Sequence, residues 1–307
     1  MSDDGTYMGF VGVSTTQSSI RKVFPAWADT LGLPTRTLVG HDLAPGSDPA
    51  AYRHLVERIR DDPHHHGALV TTHKVSVFDA AKDLFDELDE LARTFGEISS
   101  ISKRGTHLNG AAKDPITVRL ALEDFLPADH FTTTGAEVLC LGAGGSGLAL
   151  SHQLGVRADR PTVVTCTALS DDRLRHLRDL HERAGLPTDL FRYVVTPNPS
   201  DADALVAKLP AGSLVVNATG LGKDRPGSPF TDKVVFPHGG VVWDFNYRGS
   251  LEFLHQAAAQ QADRDLTLED GWRYFIHGWS QVVADVFDIP MPPETVAELA
   301  RVATVIR

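Results

Sequence analysis

At 307 residues the chain is long enough for two domains with full hydrophobic cores. Its apolar fraction of 42% and charged fraction of 22% are those of an ordinary globular protein, and a net charge of −11 argues against nucleic-acid phosphate or an anionic membrane as the main partner. The start, Met1-Ser2-Asp3-Asp4-Gly5, lacks the apolar segment of a signal peptide, and no apolar run approaches the ~18 residues that span a bilayer. The expectation is a cytoplasmic protein that partners neither membrane nor nucleic acid.

In chain order, residues 7–13 form a short β-type run, 18–31 an amphipathic helix, 35–39 a second strand and 50–61 a second helix. Residues 67–72 read as a third strand, followed by a helical stretch over 75–92. Strands spaced by helices in this way predict a parallel α/β sheet. Two short strands, 98–102 and 106–109, flank a turn at Lys103-Arg104-Gly105. A helix over 115–125 and a polar link over 127–135 lead to a second alternating series, with strands at 138–141, 162–165, 192–195, 214–217 and 240–244. The pattern is helical again from 270 to 287 and from 293 to 306, and a C-terminal helix can return to the first domain. The expected fold is therefore α/β with two domains. Residues 1–114 plus about 270–307 would form an α/β substrate domain, and about 115–269 a Rossmann-like parallel-sheet nucleotide domain.

The most informative stretch is 137–150, where the apolar run 138–141 enters Gly142-Ala143-Gly144-Gly145-Ser146-Gly147 and a helix-competent segment leaves it. In a dinucleotide fingerprint the first glycine permits the tight turn, the second lets backbone approach a pyrophosphate, and a small third residue lets helix pack on strand. Free amides at the helix start then face the anion, helped by the helix dipole. The order strand–turn–helix favours a dinucleotide site over an ordinary structural turn.

Several other residues invite chemistry. Cys140 and Cys166 lie in apolar runs and read as small core residues, not a disulfide or metal pair. His64-His65-His66 follows Asp61-Asp62-Pro63 and is expected to be a solvated loop, so no metal site is assigned. Hydride transfer from an alcohol to a nicotinamide needs a group to take the hydroxyl proton, and a lysine tuned toward neutrality can do so. Lys74 follows the apolar strand at the end where open parallel sheets bind ligands. Taken alone it reads more readily as a solvated helix-start lysine. Asp114, just before Pro115, reads alone as a helix cap.

The order of these segments resembles the shikimate/quinate dehydrogenase family. The family has a Ser-rich N-terminal motif, Asn-Val-Thr-x-Pro-x-Lys, Gly-Ala-x-Asn-Thr, Asn-Thr-Asp, a Gly-Ala-Gly-Gly turn and Asn-Ala-Thr-x-x-Gly. This chain has Gly12 to Ser18, Ala68 to Lys74, Gly96 to Ser100, Gly110 to Asp114, Gly142 to Ser146 and Asn217-Ala218-Thr219-Gly220-Leu221-Gly222 in the same order. The resemblance runs from about residue 9 to 290. It implies a catalytic lysine at Lys74 paired with Asp114. It implies substrate contacts from Ser18, Ser99, Tyr247 and Gln281, with Tyr247 lining the site where the domains meet. It implies cofactor contacts from Gly142, Ala143, Gly144, Gly145, Ser146, Thr165, Thr167, Asn217, Ala218 and Thr219. The implied reaction is reversible hydride transfer between NAD or NADP and a cyclic hydroxy acid, in an enzyme of aromatic amino acid biosynthesis or quinate use, with a homodimer among the assemblies to test.

The departures carry information too. Ile20 stands where a second carboxylate-binding serine belongs, Ala68 and Val70 replace Asn and Thr, Ser99 and Ala112 replace hydroxyl-reading Asn, and Gly278 falls where a glutamine is expected, with Gln281 one turn later. Each unpaired buried hydroxyl costs ~1–3 kcal/mol, so a substrate other than shikimate is expected. In the cofactor turn, Thr165-Cys166-Thr167 replaces Asn-Arg-Thr, and neutral Cys166 cannot hold a 2′-phosphate; Asp171 and Asp172 come too late to read ribose, which leaves NAD against NADP open. Lys223 stands where the family often has Met beside the nicotinamide, or is a plain loop lysine. The rival reading is a nucleotide-binding paralogue without turnover, a sensor or partner-binding module, which has no chemical need of the Lys74–Asp114 pair.

Overall fold

A computed structural model of the chain describes residues 5–223 and 225–306. They divide into two compact units, residues 5–113 with 276–306 and residues 114–275.

In the first unit β1 (Tyr7–Gly12), α1 (Ile20–Leu31), β2 (Leu38–Asp42), α2 (Pro49–Asp61), β3 (His65–Val70) and α3 (Lys74–Ala81) alternate, then β4 (Glu87–Leu88), α4 (Glu90–Phe95), β5 (Ser100–Arg104) and β6 (His107–Ala111) follow. The sheet order is β2-β1-β3-β5-β6-β4. β1 pairs parallel with β2 and β3, while β5 runs antiparallel to β3 and β6. Leu55, Val56, Ile59, Val70, Val77 and Ile101 are buried in one core against this sheet, each such burial stabilising by roughly 1.5–3 kcal/mol. Asp48 starts α2 by accepting the Ala50 amide at 2.8 Å, with Pro49 at the first helical position.

The second unit begins with α5 (Asp114–Phe125) and α6 (His130–Thr134). It continues through β7 (Val138–Leu141), α7 (Gly145–Val156), β8 (Val164–Ala168), α8 (Asp171–Arg183), β9 (Phe191–Val195), α9 (Pro199–Val206), β10 (Leu214–Asn217) and β11 (Val241–Asp244). α10 (Glu252–Ala258), α11 (Gln261–Arg264) and β12 (Thr267–Glu269) complete its alternation. Its sheet, ordered β12-β11-β10-β7-β8-β9, is parallel throughout. That is the doubly wound order, with the reversal between β7 and β10. All four residues of β7, β10 and β11 are buried, as expected of strands covered on both faces. α12 (Trp272–Phe287) starts in this unit and ends in the first, where α13 (Pro293–Ile306) packs on α1 and the Trp27 indole N–H donates to the Leu299 carbonyl at 2.9 Å.

Three expectations are corrected. The triple histidine is not a solvated loop: His65 and His66 open β3, and His65 is 3% exposed because its ring packs 4.7 Å from that of Tyr7 and over the bare backbone of Gly9. The helical stretch over 75–92 is broken, since Phe85 turns into the core and the next residues pair as β4 beside β6. The polar link over 127–135 holds α6, whose Phe131 and Thr132 amides are gathered by the Asp159 carboxylate at 2.9 and 2.8 Å. Among the described residues no helix is long and apolar enough to cross a membrane.

Candidate functional site

In the second unit the Gly-rich turn leaves the carboxyl end of β7, at the reversal of strand order. Gly142 has φ 108°, and a Cβ there would lie 2.6 Å from the Ala218 carbonyl oxygen, so only glycine fits. A Cβ at Gly147 would lie 2.2 Å from the Gly142 carbonyl, which is how closely α7 approaches the strand. Gly144 differs. It has ordinary backbone and nothing within 4 Å of a built Cβ, so open space lies beside the first turn of α7. First-turn amides have no acceptor within their own helix, so this turn offers donors and room for a pyrophosphate.

Beside it, the loop after β10 is held by one side chain. Asn217 Oδ1 accepts from the Thr219 amide (3.1 Å) and hydroxyl (2.6 Å), and its Nδ2 donates to the Leu221 carbonyl and to Asp244 Oδ2 (3.2 and 3.1 Å). Asn217 thus shapes the Ala218–Thr219 segment from below. Burial pushes the Asp244 carboxyl up to about 7, against hydrogen bonds from the Asn246 amide and Asn217 that favour its charged form. Thr165-Cys166-Thr167 is not the turn after the strand that the sequence suggests. These residues lie inside β8, paired with Leu139, Cys140 and Leu141, and the turn falls at Leu169 and Ser170 instead. Both cysteines are buried and free, and burial pushes the Cys140 thiol up to about 12.

Replacing Gly144 by valine should leave the fold nearly intact, because a Cβ meets nothing there, yet fill the space a pyrophosphate would take. Calorimetric titration should show NAD and NADP affinity falling at least ~10-fold, about 1.4 kcal/mol. Unchanged affinity would place the nucleotide elsewhere.

In the first unit Lys74 opens α3 just past the carboxyl end of β3. Its carbonyl accepts the Ile98 amide at 3.1 Å. The preceding His73 is fixed by the Leu43 carbonyl at Nε2 (2.9 Å) and by the Tyr52 hydroxyl at Nδ1 (3.1 Å). A carbonyl can only accept, so Nε2 carries the proton and Nδ1 takes the one from Tyr52. Ser99 is buried: its Oγ accepts the Lys113 amide at 2.7 Å and donates to the Ala111 carbonyl at 3.4 Å. Its hydroxyl therefore holds the turn that leads to Asp114. Ser18 lies half-buried ahead of α1, which begins at Ile20 and not at Ser18. Ile20 itself is fully buried with Val23, Phe24 and Trp27, so it serves the core. Gln281 lies half-buried on α12.

Tyr247, in the second unit, rests on the rings of Trp272 and Phe275, with centroids 5.3 and 4.8 Å away. Lys223 is exposed, and its backbone lies against Gly249. Among the described residues no group of three or more His, Cys, Asp or Glu could hold a metal ion. Sequence reasoning missed Lys113, Ser100 and Asp285, which meet in the first unit: the Asp285 carboxylate takes Lys113 Nζ at 3.2 Å and the Ser100 hydroxyl at 2.6 Å. The four-residue step from Gln281 to Asp285 on one helix face points to Asp285 alone, and no local pattern points to its two partners.

Fold and turn together define an α/β protein of two units, one of them Rossmann-like. No family model matches the chain. It is 28% identical over 179 residues to a shikimate dehydrogenase (NADP(+)) of Streptococcus pneumoniae, covering 57% of this chain and 58% of that one. To the Lactococcus lactis shikimate dehydrogenase (NADP(+)) it is 27% identical over 183 residues, 59% and 60% of the two chains. The chain thus spans about three-fifths of the length of these curated relatives. Among solved structures, quinate dehydrogenase from Corynebacterium glutamicum in complex with NAD superposes with a TM-score of 0.75 at 20% identity, over 98% of this chain and 99% of that one. Shikimate 5-dehydrogenase from Thermus thermophilus, in complex with NADP(H) and shikimate, gives 0.71 at 20% identity over 97% and 99%. Over the part that the curated relatives match, the chain is similar to shikimate dehydrogenases, and it shares the fold of the shikimate and quinate dehydrogenase structures.

Proposed function

We propose that the protein is an NAD(P)-dependent dehydrogenase that reversibly oxidises a CH–OH group of a cyclic hydroxy acid. The observation that carries this reading is the turn after β7, with Gly142 and Gly147 forced to be glycine by close backbone and Gly144 facing open space. Residues 114–275 would bind the dinucleotide through Gly142, Ala143, Gly144, Gly145 and Ser146, with Thr165, Thr167 and Asn217-Ala218-Thr219 beside it. Residues 5–113 with 276–306 would bind the substrate through Ser18 and Gln281, with Ser99 shaping the site.

Bound there, the nicotinamide supplies a hydride acceptor. Lys74, entering as the neutral amine, takes the hydroxyl proton as the carbon gives up its hydride, and the carbon becomes a carbonyl. Asp114 orients that lysine and favours its charged form once the proton arrives. In the reverse direction the ammonium returns the proton.

A panel of shikimate, quinate and other cyclic hydroxy acids, each with NAD and NADP, tests the reading by the appearance of reduced nicotinamide. At least one acid should be turned over with one of the two cofactors. No reduction of either cofactor by any acid, with nucleotide binding intact, would defeat it. Shikimate is expected to be poor. Val70, Ala112 and Gly278 bring no polar group to a ring hydroxyl, and the Ser99 hydroxyl is already engaged with backbone. Its kcat/KM should lie well below the ~10⁴–10⁸ M⁻¹s⁻¹ of efficient enzymes, and a value inside that range would show that other groups supply the missing bonds.

A further inference from the structure

Two polar contacts in the first unit converge on one side chain that no motif singles out. Asp285, a quarter exposed on α12, accepts the Ser100 hydroxyl on Oδ2 at 2.6 Å and faces Lys113 Nζ from Oδ1 at 3.2 Å. Ser100 is fully buried at the start of β5, and the Lys113 side chain is 18% exposed. The neighbouring Ser99 hydroxyl accepts the Lys113 amide at 2.7 Å. One residue earlier, the Ile98 amide donates to the Lys74 carbonyl at 3.1 Å. Consecutive residues 98, 99 and 100 therefore tie the start of α3, the turn at Lys113 and α12 into one frame. On the far side of the same turn, Asp89 Oδ1 accepts the Ala112 amide at 3.2 Å.

We infer that Asp285 is a positioning residue, whose carboxylate clamps Ser100 and Lys113 and so fixes the turn that presents Asp114 and the face of α12 that carries Gln281. A buried hydroxyl and a largely buried ammonium both need an acceptor, and a carboxylate with two oxygens serves both at once. Charge-assisted bonds of this kind are the stronger ones and resist rotation of the groups they join. The main-chain bond from Lys113 to Ser99 then holds the backbone while Asp285 holds the side chain. Lys113 precedes Asp114 directly, so its freedom is passed to that carboxyl. The inference rests on the proposed roles of Lys74 and Asp114, but the clamp can be tested without them.

Amide hydrogen exchange on the full chain reads the clamp directly. Asp285→Ala should speed exchange at the amides of 111–113 at least ~10-fold, leaving β1 and β2 unchanged. Lys113→Met should do the same, and the double variant should add little to either, since coupled residues are not additive. Asp285→Glu, which keeps the carboxylate, should restore most of the protection. Unchanged exchange in Asp285→Ala overturns the clamp whether or not the protein turns over any hydroxy acid, while absent turnover in wild type defeats only the proposed reaction. Once an acid from the panel is turned over, Asp285→Ala should lower kcat at least ~10-fold with KM changed much less and cofactor affinity intact, because alignment and not ground-state binding is lost. A variant with a lower melting temperature but wild-type kcat and KM would mean that Asp285 serves only the fold.

Discussion

Lys74→Ala is expected to lower turnover by about 10²–10⁴-fold, the usual contribution of a positioned acid–base group, with NAD or NADP affinity nearly unchanged. The residue is set up for such a test. His73 before it is locked between Tyr52 and the Leu43 carbonyl, and its own carbonyl is held by the Ile98 amide, so truncation removes the amine without releasing the backbone. Lys74→Arg should be nearly as inactive, because a guanidinium stays protonated above pH 12 and cannot accept the hydroxyl proton. A lysine that merely bound an anion would tolerate arginine. Initial rates with an acid from the panel, at saturating cofactor, measure the loss, and calorimetric titration measures nucleotide affinity. Wild-type rates in Lys74→Ala would remove the lysine from the chemistry. Retained activity in Lys74→Arg alone would make it a substrate-charge reader.

What the sequence discloses and what it hides divide along physical lines. The strands at 138–141 and 214–217 are legible to the residue because both faces are covered, so each reads as an unbroken apolar run closed by a turn residue. The nucleotide turn is legible because close backbone forces glycine at two of its motif positions, Gly142 and Gly147, and Gly144 between them leaves open space. β8 is misplaced by two residues at its start and three at its end, since Thr165 and Thr167 are polar enough to look like a turn yet pair fully with β7. His65 is hidden for a different reason. A histidine after Asp61-Asp62-Pro63 reads as solvent-facing, and only the missing side chain of Gly9 on the neighbouring strand leaves room to bury it. Asp285 is hidden because its partners Ser100 and Lys113 lie 185 and 172 positions away. Local pattern reports burial and turn chemistry well, and reports long-range polar pairing not at all.

Acid should destabilise the first unit through those same histidines. The rings of His41 and His65 stack with centroids 5.7 Å apart, and neither Nε2 has a hydrogen-bond partner. Burial, with His41 nearby, pushes His65 down to about 3 from an ordinary 6.5, and burial lowers His41 and His66 as well. For a base whose folded pKa is depressed, the stability is fully present above 6.5 and is lost as pH falls through the window from 6.5 toward 3. Complete titration of His65 would cost on the order of 4–5 kcal/mol, and about 2 kcal/mol is already lost at pH 5. Asp244, in the other unit, works the opposite way, because a carboxyl raised to about 7 favours the fold as pH falls toward 3.8. The difference between wild type and His65→Phe cancels that background, since the two sites share no partner. Phenylalanine keeps the ring but loses the acceptor that His65 Nδ1 offers the Gly67 amide at 3.0 Å, so the variant starts less stable at every pH. Urea unfolding at pH 7.5 and pH 5 should then show wild type losing about 2 kcal/mol more than His65→Phe across that interval. Parallel losses in the two proteins would mean that His65 protonates as readily when folded as when unfolded, and that its burial is not what the ring packing against Tyr7 and His41 implies.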